Sequence, residues 1–195
     1  MAVKHPMNRR TLLYALGIVS VRSTLPAQVS ITRGKVAVSK SGDSRFAFSS
    51  SQQAALSPCK LTAEDSSGAL SAIELHVVAQ GGPALHIHYR EDEWYYVLAG
   101  TFLFRVGGET HILAANSSIW LPRNIAHVWM NTGDTEGKLL LVCQPGGFEK
   151  FFEEMGSEMA KVDAAGTCAK MKEVMARYGM ELLGPPLSKP FRQQY

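Results

Sequence analysis

The sequence predicts an all-β domain, a sandwich or barrel of short antiparallel strands followed by C-terminal helices. Three observations predict it. Between Ala72 and Cys143, short apolar or alternating runs follow one another, split by Gly, Pro, Asn and Asp turn residues. After Pro145-Gly146-Gly147 the apolar period lengthens from two residues to a helical spacing. No βαβ alternation, heptad or internal repeat interrupts this order. With 46% hydrophobic and 19% charged residues, the 195-residue chain can fill one sizeable core and is not of disordered type.

Residues 1–27 read as a secretory signal. They hold Lys4, Arg9, Arg10 and Arg22 and no acid, then the apolar run 12–21, then a short stretch ending at Leu25-Pro26-Ala27. The apolar run is about half of the roughly 20 residues that a membrane span needs, so no stable span is expected in the mature form. The segment Asn8-Arg9-Arg10-Thr11-Leu12-Leu13 resembles the twin-arginine export signal, with Asn8 where that pattern usually has Ser or Thr. The resemblance implies a bacterial source, export in the folded state, and a periplasmic or extracellular location. The expected cut follows Ala27.

The formal net charge of +3 resides in this leader, because the rest of the chain has 17 acidic residues against 16 basic ones. No basic stripe is present, so nucleic acid is not an expected partner. Cys59, Cys143 and Cys168 are too sparse for a disulfide framework and form no CxxC. They read as buried or weakly exposed thiols, with one disulfide left open for an exported protein and its pair undetermined.

Along the mature chain, residues 28–70 read as N-terminal strands and loops, with strand-like runs at 35–38 and 45–48 and a loop at 62–68. Residues 71–146 read as the β core, with strands over 72–79, 84–89, 94–99, 101–106, 109–114, 117–121, 126–131 and 138–143. Gly107-Gly108 marks a hairpin. Residues 147–195 read as C-terminal helices. Phe148, Phe151, Phe152, Met155 and Met159 share one helical face and read as a surface packed on the β core rather than a partner-binding face. A second helix is expected over 168–178, stopped near Gly179. Gly184-Pro185-Pro186 is expected to close the ordered part.

The chemistry concentrates at Leu85-His86-Ile87-His88. Residues two apart on a strand face the same way, so His86 and His88 project together. After the turn Arg90-Glu91-Asp92 the chain returns with Glu93, level with the histidines. His127 follows the turn Pro122-Arg123-Asn124. Three imidazoles and a carboxylate would make a metal shell with one or two positions left for water or substrate. His76 and His111 have no such company and read as surface or wall residues. Glu91 and Asp92 read as solvated turn charges.

These residues resemble the cupins. The first cupin motif, G-x5-H-x-H-x4-E-x6-G, matches from His86 through His88 and Glu93 to Gly100, while its leading glycine falls at Gln80, with Gly81 one place off. The second, G-x5-P-x-G-x2-H-x3-N, matches at Pro122, His127 and Asn131, with Asn116 and Asn124 replacing both glycines. Asn is the residue after Gly that best tolerates positive φ, so these turns are expected to survive. The resemblance implies a six- to eight-stranded jelly-roll barrel (a double-stranded β-helix). It also implies that His86, His88, Glu93 and His127 hold one divalent metal ion, any of Fe, Mn, Ni, Zn or Cu.

Over residues 62–187 the chain is further similar to small quercetinase-like cupins. That similarity implies a metal-dependent dioxygenase acting on a small aromatic or enol-type substrate, with Glu93 both ligand and general base. Strand parity puts Tyr95 and Val97 with Glu93, and Trp129 with His127; Phe102, Phe104 and Trp120 are further pocket candidates. Two alternatives stay open. One is a metal and small-molecule binding module without turnover; the other is a non-redox enzyme such as a sugar isomerase, whose pocket should be rich in Lys, Arg and Asn. Cupins commonly pair through barrel edges, which implies a homodimer.

Overall fold

The computed structural model describes residues 36–45, 47–48, 57–163 and 165–188. The leader reading over 1–27 and the run at residue 35 lie outside them. Where apolar and polar residues alternate, strands form with one buried face. The strand Ser71–Val77 buries Ser71, Ile73, Leu75 and Val77; Gly137–Gln144 buries Gly137, Leu139, Leu141 and Cys143.

In chain order the strands are β1 Ala47–Phe48, β2 Ser57–Leu61, β3 Ser71–Val77, β4 Ala84–His88, β5 Asp92–Ala99, β6 Thr101–Val106, β7 Glu109–Ala114, β8 Ser118–Leu121, β9 His127–Asn131, β10 Gly137–Gln144 and β11 Met180–Pro186. Helices α1 Glu149–Met159 and α2 Thr167–Arg177 separate the last two strands. All strand pairs are antiparallel. One sheet runs β1-β2-β3-β10-β5-β8 and the other β11-β4-β9-β6-β7. Their inner faces share one core, in which Ile73, Val97 and Leu139 of the first sheet meet Phe102, Phe104 and Trp129 of the second. This is a jelly-roll arrangement of the kind the cupin resemblance implies. Among the described residues no ladder joins the sheets, so they are two open layers and not the closed barrel expected.

The turns explain how the chain keeps the cupin path without its glycines. Gln80, Asn116 and Asn124 have φ of 62°, 71° and 66°, the left-handed conformation that glycine usually supplies. Asn131 ties the β9 end into the fold: its Nδ2 donates to the carbonyls of Val77, Val78 and Thr135, and its Oδ1 accepts from the Gly133 N–H.

The C-terminal region differs from expectation in one respect. After Gly179 ends α2 at φ 70°, residues 180–186 return as β11 and pair with β4. Gly184-Pro185-Pro186 therefore lies within a strand. Prolines are tolerated there because β11 is an edge strand, and its outer side needs no ladder donors. The run at 36–38 forms no strand, and β2 arises in a stretch where the sequence shows no distinct strand pattern. All three cysteines are free, Cys59 and Cys143 buried and Cys168 exposed. Burial pushes the Cys59 thiol up to about 12 and the Cys143 thiol well above its ordinary value, so both are inert at neutral pH. No described helix is long and apolar enough to cross a membrane.

Candidate metal centre

The two sheets approach at one end, and the four candidate ligands meet there. β4 turns His86 and His88 inward, leaving Leu85 and Ile87 on the other face. β9 lies beside β4 and pairs His127 with His86. The carboxylate comes from the opposite sheet: Glu93 sits on the inward parity of β5 with Tyr95 and Val97. One donor atom from each of His86, His88, Glu93 and His127 falls within 4.8 Å of the others, and all four residues are buried. The Glu93 carboxylate lies 3.1 Å from His127 Nε2 and 3.5 Å from His88 Nε2.

The second nitrogen of each imidazole is already engaged. Nδ1 of His86 is 2.7 Å from the Ala84 carbonyl, and Nδ1 of His127 is 3.1 Å from that of Ile125. Nδ1 of His88 faces Glu91 Oε2 at 3.4 Å. As N–H donors to these oxygens, the rings hold the tautomer whose Nε2 carries a free lone pair. Nε2 of His88 and of His127 is buried without a hydrogen-bond partner. Orphaned buried nitrogens are costly unless something binds them, and a cation would satisfy both. The donor set, three imidazoles and one carboxylate, fits a divalent transition metal.

Charge agrees with this fit. Burial, and then the neighbouring His127 and His88, hold the His86 pKa down at about 3. Burial raises the Glu93 carboxyl, but the imidazoles, led by His88, outweigh it and bring the pKa to about 2. Burial likewise lowers His88, but Glu93 and then Glu91 raise it above the ordinary histidine value. At neutral pH the centre thus offers a neutral His86 and an ionised Glu93, the forms that bind metal.

Glu91 departs from the sequence expectation. It is buried, not solvated, and is the acceptor that orients His88. Asp92 is half-buried: it accepts from the Arg123 backbone N–H and forms a forked pair with its guanidinium, joining the start of β5 to the turn before His127. His76 lies between Glu74 and Glu136, and His111 beside Glu109, both away from the cluster.

A cavity of about 480 Å³ opens beside the cluster. Tyr95 and Trp129 line it, and the Tyr95 hydroxyl donates to Glu93 Oε2 at 3.2 Å. Phe102 and Phe104 do not line it; they are fully buried in the core between the sheets. Trp120 does not line it either. It pairs with Trp94 across the β5–β8 ladder, on the outward parity, and stands half-exposed over a separate surface hollow. The pairing of Glu93 with Leu121 sets this parity, with Ile119 and Leu121 inside and Trp120 outside. The helical stripe that the sequence marks only as packing surface forms the cavity roof: Phe148, Phe151, Phe152, Met155 and Met159 all face the chamber. The Phe148 ring stands edge-on to His88 at 4.7 Å. Glu149 anchors the start of α1, its buried carboxylate accepting from the Ala63 and Gly147 N–H groups at 2.9 and 2.8 Å.

Comparison with known proteins agrees with this architecture. Residues 74–143 match the family described as Cupin domain. Protein SchB of Streptomyces halstedii is 30% identical over 80 residues, 40% of this chain and 58% of that protein, so the match spans just over half the relative's length. A solved structure described as a predicted oxalate decarboxylase, from Thermotoga maritima, superposes with a TM-score of 0.50 at 21% identity, covering 55% of this chain and 98% of that one. KdgF from Halomonas sp. is similar at 17% identity and a TM-score of 0.44, over 49% of this chain and 82% of that one. The stretch 74–143 that matches the cupin-domain family contains the whole His86-His88-Glu93-His127 cluster.

Proposed function

We propose that this chain is an exported, mononuclear metal-dependent enzyme of dioxygenase type, acting on a small aromatic or enol-type substrate. The observation behind this reading is the buried three-histidine, one-glutamate cluster, with the Nε2 atoms of His88 and His127 near the Glu93 carboxylate but without a hydrogen bond, beside an apolar chamber. His86, His88, Glu93 and His127 hold one divalent ion, of Fe, Mn, Ni, Zn or Cu. When bound, the ion would supply Lewis-acid and redox chemistry beside the chamber.

The chain's own residues do the rest. Glu93, ionised and steadied by the Tyr95 hydroxyl, accepts the proton of a substrate hydroxyl. The Nδ1 contacts of the three histidines keep the donors aimed as that proton moves. Phe148 and the α1 face exclude water from the chamber. A sugar isomerase is disfavoured, because no Lys, Arg or Asn lines the cavity among the described residues. A binding module without turnover is the second reading; the same roofed chamber supports it, since a site built to retain a ligand needs no more.

The test is metal content per chain together with O2 uptake on flavonols, catechols and diketones. About one redox metal per chain with O2 consumed supports the enzyme. One metal without turnover favours the binding module. A chain that retains no metal under any loading condition refutes both. Export belongs to the same proposal: exchanging Arg9-Arg10 for Lys-Lys should hold the protein in the cytoplasm, and undiminished export would refute the twin-arginine route.

A further inference from the structure

The chamber's lining is uneven in kind. Its floor holds His86, His88, Glu93, Tyr95 and Trp129; its strand wall adds Leu75 and Val77. The roof comes from the C-terminal elements, with Phe151, Phe152, Met155, Met171, Met175 and Met180. Among the described residues, the ionisable side chains lining it are His86, His88, Glu93 and Tyr95. A sugar, a phosphate ester or a dicarboxylate would carry several polar groups into a space where, apart from the Thr167 hydroxyl, the polar side chains that answer them lie on the floor. Each unanswered group would cost its desolvation. An apolar molecule with polar atoms on one edge has no such loss.

The helices supply a second, independent observation. On α1 only Glu149 and Phe151 are buried, while Phe152, Met155 and Met159 are half-buried although they face inward. Phe152 and Met155 pack against the edge of the core, and the apolar surface that all three leave uncovered lines the chamber. Thioether side chains are unbranched and adapt to irregular shapes, which suits a roof closing on a ligand. The volume of about 480 Å³ falls within the roughly 300–1,000 Å³ of small-molecule sites.

We infer that the chamber takes an uncharged, predominantly apolar ligand with a single polar edge, and that Met155, Met171 and Met175 on the helix pair determine which one. This rests on the proposed reading of the site, since it takes the chamber beside the metal as the substrate's place. The ligand's polar edge meets the cluster, and its apolar body completes the packing under α1 and α2.

The neutral fluorophore N-phenyl-1-naphthylamine tests this on the full chain. Saturable binding at one probe per chain is expected. Met171→Trp, which fills the roof, should weaken it by at least about tenfold, the loss of roughly 60 Å² of ligand burial. Met155→Lys should weaken it similarly, whereas Met171→Leu should retain it. Metal content and melting temperature, measured on each variant, separate a blocked chamber from a misfolded chain. No saturable binding to the wild type, or binding unchanged in both Met171→Trp and Met155→Lys, overturns the inference. So does stronger thermal stabilisation by malonate or glucose 6-phosphate than by the probe. Metal content reads the cluster separately: probe binding without any metal refutes the metal reading alone, and full metal with no probe binding refutes the ligand class alone.

Discussion

Replacing Glu91 should loosen the metal centre without touching a ligand. Its Oε2 lies 3.4 Å from His88 Nδ1 and is the acceptor that keeps the proton on that nitrogen. In Glu91→Ala the His88 ring is free to shift its proton to Nε2 or to rotate, and both changes compete with metal binding. Losses of such orienting contacts typically cost about 10–100-fold in metal affinity. The lower end applies here, because 3.4 Å is long for a hydrogen bond, and His86 and His127 keep their own acceptors at 2.7 and 3.1 Å. The expected loss is about tenfold, or about 1.4 kcal/mol, with Glu91→Gln falling between Ala and wild type. Zinc competition against a chromophoric chelator measures it. Glu109→Gln, beside the exposed His111, is the control and should change nothing. Zinc affinity of Glu91→Ala within about twofold of wild type, roughly 0.4 kcal/mol, would refute the argument that this carboxylate positions His88.

Two further outcomes follow from the turns and from the buried charges. Asn124 has φ 66° and donates its N–H to the His88 carbonyl at 2.7 Å, so Asn124→Ala should cost about 1 kcal/mol and a few degrees of melting temperature, while Asn124→Gly should stay within about 0.5 kcal/mol of wild type. Equal melting temperatures for Ala and Gly would contradict the positive-φ argument. In metal-free protein, stability should fall with acid: an unfolded histidine takes its proton near 6.5, whereas folded His86 resists it until about 3, so each step below pH 6.5 favours the unfolded chain. Glu93 adds to the fall below about 4.5, being held ionised down to about 2, while His88, raised by Glu93 and Glu91, opposes it. A melting temperature flat between pH 7 and 4 in metal-free protein would show that the cluster does not control acid stability.

The sequence carries different parts of this molecule with different clarity. Strands with one buried face announce themselves by alternation, and the flanking turn residues bound the more fully buried β6 and β9, so β3 to β10 fall close to the runs read from the sequence. The cluster is legible because its spacing is a register property: His86 and His88 share a face, and a short turn returns Glu93 on the opposite sheet. β11 is hidden by Gly184-Pro185-Pro186, since proline reads as a breaker unless the strand is known to lie at an edge. Glu91 is hidden because burial of a turn carboxylate depends on the tertiary contact with His88. Trp120 is misplaced by local reading because parity within a four-residue strand is set by its partner β5, which local sequence does not name. The Phe/Met stripe gives its helix correctly, but amphipathicity cannot say whether an apolar face meets a packed core or a cavity.

Strand register also explains which departures from the cupin pattern this chain tolerates. A one-residue slip on a strand sends every side chain to the opposite face. In β4 such a slip would put Leu85 and Ile87 into the centre and expel both histidines. The intervals from His86 to His88, to Glu93 and to Gly100 are therefore held by geometry, and here all of them are kept. The glycines of the pattern act differently, by letting the chain turn at positive φ. Gln80, Asn116 and Asn124 adopt that conformation themselves, so the path is preserved with some local strain. Gln80 offsets part of this by donating from Nε2 to the carbonyls of Thr132 and Gly133. A turn residue in this fold can be exchanged for any side chain that reaches the left-handed region, whereas a ligand interval cannot change by one residue without dismantling the centre.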